Sequence, residues 1–415
     1  MRKNYNLTRR TCYFACLANS SVFVLPPLLF VTFRQMYGVS YTLLGTLVLV
    51  NFCTQLMIDL IFTFFARHFN IEKTIRLMPF ITATGLFVYA VFPMLFSELA
   101  YIGLLIGTVI FSVAAGLCEV LLSSLVAALP SGNPERDMSM LHSIYGWGVV
   151  SVVLISTLFF NLFGAHNWPY LMMLFVLLSL LACFFFCISP IPEMDVSHNK
   201  VRQKEAKRKV GLFLCAACIF FGSAAENVMT NWISGYMENA LHIPKTYGDI
   251  FGLALFAILL GTGRTLYAKY GRNISKVLLL SMTGAFVCYL FAGLFPNAVV
   301  ALAACVIAGL CTSLLWPGTL ILMEEKVPSP GVAAYALMAA GGDFGASVAP
   351  QTMGIIVDVV SMSTWAENIS AKLGISPEQL GMKTGMLFSA IFPLMGIVTI
   401  LTIIKYFTNK KESSW

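Results

Sequence analysis

Four carboxylates sit where carboxylates are costly. Glu119 stands inside "AAGLCEVLLSSLVAALP", Glu226 inside "FFGSAAENVMTNWISGYM" and Asp343 inside "AAGGDFGASVAP", while Asp59 follows Asn51 and Gln55 in another apolar run. An acidic side chain at the centre of a bilayer costs about 2.5–3.5 kcal/mol on insertion scales. Such a group is tolerated when it is protonated, paired or facing a wet cavity. A carboxylate that is costly to bury charged and cheap to bury neutral can load and unload a proton. Glu119, Glu226 and Asp343 are therefore candidates for carrying one. Asp59, nearer a basic turn, reads as a structural partner for Arg67 or a residue at headgroup level.

The neighbours of these acids add binding chemistry. Gly222, Ser223, Glu226 and Thr230 share one helical face, with Asn227, Asn231 and Trp232 close by. Amides and carboxylates bind hydroxyls, and an indole covers the apolar side of a sugar ring. The same polar groups also suit hydrogen bonds between helices. Ser112, Gly116 and Ser123 lie seven, three and four residues from Glu119 and place it on a stripe facing protein or water. Further ligand-contact candidates are Asn19 in the first apolar run, Asn51 and Gln55 in the second, and His142 and Tyr145 in "LHSIYGWG" of the fifth. Trp316 joins them in the tenth, where Pro317 predicts a kink whose freed carbonyl needs a neighbour. Arg264, at one end of the eighth run, is expected to pair with Glu324 or Glu325 as a gating latch.

Long apolar elements must carry these groups. Of the 415 residues 58% are hydrophobic and only 11% charged, against roughly 25% charged in soluble domains. A helix needs about 20 mostly apolar residues to cross the hydrocarbon. Twelve runs meet this, centred near residues 23, 54, 86, 113, 150, 179, 223, 257, 285, 311, 345 and 394. They lack the alternation of barrel strands. The predicted fold class is an all-α integral membrane protein of twelve transmembrane helices in two pseudo-symmetric six-helix bundles. The bundles are residues 1–191 and 210–415, joined by a basic cytoplasmic linker, 192–209.

Charge sets the expected orientation. Placing the N-terminus in the cytoplasm gathers 22 of the 26 Lys and Arg on the inner side and leaves only Arg34, Lys245, Lys372 and Lys383 outside. An even number of spans returns the C-terminus to the cytoplasm, and no cleavable signal peptide is visible. The net charge of +7 thus reports orientation and lipid headgroups, not nucleic acid. The eleven cysteines are scattered and read as small buried hydrophobes. No metal, disulfide framework or cofactor is expected. "STWAENISAKLGISPEQLGMKT" reads as a short amphipathic helix with a turn at Gly374; its Asn368 matches a glycosylation acceptor only weakly.

The two halves echo each other. Each second span runs into a basic turn, "FFARHFNIEKTIR" in the first half and "GRTLYAKYGRNISK" in the second. The second turn resembles the major facilitator superfamily loop motif G-x-x-x-D-R-x-G-R-R. Lys269, Gly271 and Arg272 are in place, Ala268 stands at the acidic position and Gly263 comes one residue early. The first turn keeps Arg67, with Ala66 at the acidic position. With twelve spans and the basic central loop, the chain resembles this superfamily over essentially its whole length. The resemblance implies that spans one, four, seven and ten line a central cavity, with three, six, nine and twelve at the periphery.

"AAGLCEVLLSS" further resembles the fucose permease and related sugar transporters, and "GSAAENVMTNW" the G-x-E…W stretch of sugar-type members. That implies a proton-coupling role for Glu119. Span one has no acid where the permease has one; Asn19 falls in that region, and Glu226 is expected to take over part of the role. The expected function is secondary transport of a small polar solute, a sugar or a sugar derivative, by alternating access with proton (or sodium) symport. The expected setting is a functional monomer among the lipids of a cell membrane, such as a bacterial inner membrane. The competing readings are a proton-coupled exporter of drugs or metabolites and a non-transporting receptor. "YGWGVVSVVLISTLFF" lacks the repeated glycines and Gly-Pro of exporters, and a receptor would need a soluble module. No HExxH, GxSxG or phosphate loop points to an enzyme.

Overall fold

The computed structural model describes residues 5–65, 68–130, 134–192, 205–327 and 331–412. Ala66, Arg67 and most of the basic linker lie outside these. Among the described residues, twelve helical segments are long and apolar enough to cross a membrane. In order they are Asn6–Leu28, Tyr41–Phe62, Ile71–Leu95, Ser97–Val126, Ile144–Phe163, Ala165–Ile188, Lys209–Asn239, Lys245–Tyr267, Ile274–Leu294, Ala298–Lys326, Leu337–Ser361 and Pro377–Phe407, hereafter spans one to twelve. Each contains one of the centres expected from run length. Large apolar side chains such as Leu280 (74% exposed) and Phe213 (71%) point outward. That is the reverse of a water-soluble surface and fits a lipid solvent.

The chain folds as two compact units. The first holds Met1–Val39 and Val50–Ser197; the second holds Ser40–Leu49 and His198–Trp415. Span two is therefore shared, its first residues grouping with the second unit. The core of the first unit joins Cys12 and Ala15 of span one, Phe62 of span two, Ile75 and Met78 of span three, Leu117 and Leu121 of span four, and Ala182 and Phe186 of span six.

Caps set where several spans begin. Asn70 accepts a hydrogen bond from the Lys73 backbone N–H at the start of span three, and Asn273 does the same for Lys276 at the start of span nine. These are the two related basic turns, "NIEK" and "NISK". An asparagine here satisfies an amide that the first helical turn leaves open. At the end of span six Arg76 of span three donates to the carbonyls of Phe186 (2.5 Å), Cys187 (2.6 Å) and Ser189 (3.3 Å). Thr8 donates to Pro190 O at 2.7 Å, and Arg9 pairs with Asp137 at 2.9 Å. The segment before span twelve folds as expected: a helix over Thr364–Leu373, closed by Gly374 at φ 67. All eleven cysteines are free. Cys215 and Cys218 have C-x-x-C spacing and are both buried in span seven, with Cys218 3.7 Å from Thr319 Oγ1.

Candidate functional site

In the first unit, span four presents its small residues to span two. Gly116 packs against the backbone of Gln55, where an added methyl would lie about 3.2 Å from it. Ser112 is fully buried and its Oγ lies 2.7 Å from Asn51 Oδ1. Gln55 Nε2 donates to the same oxygen at 2.9 Å. Asn51 and Gln55, 7% and 1% exposed, thus tie span two to span four. Here the interhelical reading prevails over ligand contact. Glu119 leaves this buried stripe and is exposed. A carboxylate oxygen of Asp59 comes within 4.8 Å of one on Glu119. The sequence assigned Asp59 to Arg67 or the headgroups; the fold buries it (6% exposed) beside the other acid.

Other candidates in this unit separate. Asn19 is half-buried, and its Oδ1 has no hydrogen-bond partner among the described residues. With Thr82, Cys118 and Ser179 it lines a cavity of about 10 Å³. Solute pockets measure about 300–1,000 Å³, so that cavity is not one. Tyr145 of span five meets Phe23 of span one edge-on, centroids 5.8 Å apart, and Phe23 lies 6.2 Å from Phe52 of span two. All three rings are half-buried. The side chains of His142 and Ser123 lie outside the described residues.

In the second unit, the polar ladder of span seven bonds along its own helix. Asn227 Nδ2 donates to Ser223 O at 3.0 Å, and Asn231 Nδ2 to Asn227 O at 2.8 Å. Trp232 departs from expectation. It is 1% exposed, its indole N–H donates to Pro350 O at 3.1 Å, and its ring lies 5.7 Å from Tyr41. An indole buried on all sides offers no face to a solute. Trp316, half-buried in span ten, keeps more of its ring accessible.

Span ten is broken, as Pro317 led us to expect. Helix Ala298–Thr312 stops, residues 313–316 form turns, and helix Pro317–Lys326 resumes. The i→i−4 partner of Ser313 O would be the N–H at position 317, and proline has none. Arg264 of span eight supplies the donor, Nε to Ser313 O at 3.0 Å. Its Nη2 reaches Glu226 Oε1 at 3.3 Å, an ion pair with the two side chains 34% and 18% exposed. The expected pairing of Arg264 with Glu324 or Glu325 is therefore corrected. The guanidinium turns into the bundle because the broken helix and a half-buried carboxylate both need a donor there. Gly263 allows the approach, since a methyl at that position would collide with Ser313. Glu325 instead lies 3.9 Å from Lys326.

Asp343 is 3% exposed in span eleven. Two further buried carboxylates escaped the sequence reading. Asp358, 6% exposed, accepts the backbone N–H groups of Tyr41 (3.2 Å) and Thr42 (2.6 Å) at the start of span two. Tyr41 OH donates to Glu378. Asp249, 1% exposed in the π-helical stretch Gly248–Ala254 near the start of span eight, pairs with Lys245 at 3.4 Å. Both acids lie near span ends, where run length alone assigns residues to loops. The local signal was their apolar flanks, "IIVDVV" and "YGDIFGLA".

Comparison with known proteins completes the picture. The sequence profile described as Major Facilitator Superfamily matches residues 11–350. No curated protein sequence matches the chain. Among solved structures, a bacterial homolog of the human lysosomal transporter Spinster is 12% identical, with 97% of each chain covered and a TM-score of 0.71. A D-xylose–proton symporter is 13% identical over 94% of this chain and 97% of its own, with a TM-score of 0.71. The nucleoside transporter NupG is 16% identical over 97% and 100%, with a TM-score of 0.68. At these identities the likeness is one of fold. The profile match spans most of the chain, which belongs to the Major Facilitator Superfamily: it is a multi-pass membrane transporter that moves a small-molecule substrate by alternating access, and not an enzyme.

Proposed function

We propose that the chain is a proton symporter for a sugar or sugar derivative, akin to the fucose permease branch. The observation that carries the proton coupling is the approach of Asp59 and Glu119 within 4.8 Å. Two carboxylates this close repel when both are ionised, and one proton between them relieves the repulsion. Glu119 is exposed, and in this reading its open side faces the wet cavity where the proton is exchanged. Glu226, held by Arg264, and Asn227 supply a polar patch for hydroxyls, and Trp316 replaces Trp232 as the aromatic face. In the first unit Tyr145, Phe23 and Phe52 offer apolar ring contact. The fold likeness to a D-xylose–proton symporter supports this reading at the level of fold only.

The test is uptake of labelled neutral sugars, sugar acids and nucleosides into proteoliposomes, with an imposed pH gradient, with a sodium gradient, and with neither. The reading requires accumulation of at least one sugar under the pH gradient alone. Accumulation of nucleosides only, or driven by sodium only, would replace it. The accompanying localisation is the cell membrane with both termini cytoplasmic, supported by the Lys/Arg asymmetry. Labels placed in the 359–383 segment should then react from outside, and labels in 192–209 should not. The reverse pattern would invert the topology.

A further inference from the structure

The strongest unassigned feature is the double engagement of Arg264. One nitrogen holds the carbonyl that Pro317 leaves open, and another holds Glu226. A broken membrane helix needs an outside donor for its freed carbonyl. In most helices that donor would be a neutral hydroxyl or a water. Here it is a guanidinium whose remaining charge is balanced by a site carboxylate. The second oxygen of that carboxylate, Glu226 Oε2, is buried and has no hydrogen-bond partner among the described residues. A proton taken up on that free oxygen weakens the ion pair, and a ligand that takes Oε1 displaces it; either way the side chain that props the break is loosened. A guanidinium fork makes this possible because its nitrogens are rigidly linked. The break is also tightly invested: a methyl at Gly263 would meet Ser313, and one at Gly342 would meet the Trp316 ring.

We propose that Arg264 is a positioning residue that transmits the charge and occupancy of Glu226 to the bend of span ten. When Glu226 is ionised and unliganded, Arg264 lies between it and Ser313 O, and the bend is held as seen. When a proton or a ligand hydroxyl satisfies Glu226, Arg264 loses one anchor. The Ser313 carbonyl then loses part of its cap, and the two halves of span ten change their angle. The proposal rests on Glu226 being a site carboxylate, but not on which solute is carried.

Pro317 provides the control. Pro317→Ala restores a backbone N–H that can donate to Ser313 O, which makes the Arg264 cap redundant. Bioorthogonal spin labels at Val299 and Glu325, both exposed, read the bend of span ten in the full-length protein without any substrate. The expected result is a longer separation in Pro317→Ala and an altered distance distribution in Arg264→Gln. Arg264→Gln should add nothing to Pro317→Ala. Arg264→Lys, which keeps the charge but lacks the fork, should behave like Arg264→Gln. In counterflow exchange of whichever labelled sugar the wild type carries, Arg264→Gln should slow the maximal rate about tenfold, with KM within about twofold. In the Pro317→Ala background the same change should cost less than about threefold, because coupled sites are not additive.

Unchanged distances in a folded Arg264→Gln protein would overturn the proposal. So would effects of Arg264→Gln and Pro317→Ala that simply add, or a KM rise with an unchanged rate, which would make Arg264 a ligand contact. If Arg264→Gln does not fold, Glu226→Gln carries the distance test, and an unchanged bend there overturns it equally. A wild type that carries no sugar would count against the substrate reading, while the distance measurements still decide this one.

Discussion

The acids of the two units are kept in opposite ways. Glu119 in the first unit is exposed, has no ion pair among the described residues, and lies near a second carboxylate, Asp59. Glu226 in the second unit is 18% exposed and paired with Arg264 at 3.3 Å. A guanidinium beside a carboxylate favours its charged form, whereas a second carboxylate disfavours it. In the proposed symport the first acid exchanges the proton, and the second holds its partner until something displaces it. Two acids in apparently similar apolar runs need not share a role; the partner brought by a neighbouring helix separates them.

The contrast can be broken most directly at Glu119. Glu119→Gln should abolish accumulation driven by a pH gradient, a loss of more than about tenfold, while counterflow exchange stays within about threefold of wild type. The paired liposome assays measure both. Retained uphill accumulation would leave Glu119 with no coupling role.

Next in size is Glu226→Gln. It removes the charge that holds Arg264 and should raise the KM of counterflow about tenfold, the order of one hydrogen bond to a charged group. An unchanged KM combined with lost accumulation would exchange the roles assigned to the two acids.

Smaller effects sharpen the structural side. Gly263→Val should push span eight away from the break in span ten and destabilise the protein by about 1–3 kcal/mol, as overpacking does. A thermal melt in detergent would show it; an unshifted melt would mean that the contact is loose. Smallest of all, Trp232→Phe removes one N–H bond to Pro350 O, worth about 1 kcal/mol, and should leave KM within about twofold. A large KM change would restore the sugar-platform role that the sequence first gave this indole.

Legibility followed the range of each interaction. All twelve spans were readable, because length and apolarity are properties of a single segment and the bilayer imposes them strictly. The break at Pro317 was readable for the same reason, as it follows from one missing N–H. The identity of its rescuer was not. Arg264 stands 49 residues from Ser313, and linear position offered Glu324 and Glu325 as equally good partners. Trp232 was misjudged because a helical face can be assigned from spacing, but whether that face meets a neighbouring helix or open space cannot. Asp358 was missed because its partners are backbone amides of span two, which leave no mark in residue types. Asn51, Gln55 and Ser112 were flagged as polar, and only packing shows them spending that polarity on each other.

The contacts around Arg76 bear on how the protein is made. The carbonyls of Phe186, Cys187 and Ser189, the Thr8 bond to Pro190 and the Arg9–Asp137 pair close one end of the first unit. Every residue in that closure is synthesised before the linker emerges from the ribosome. Domains assemble from the N-terminus as translation proceeds. The first six spans can thus be fastened in the bilayer while the second six are still being threaded into it. Losing Arg76 would free three carbonyls at the end of span six at once, so the cost would fall on the closure of the first unit.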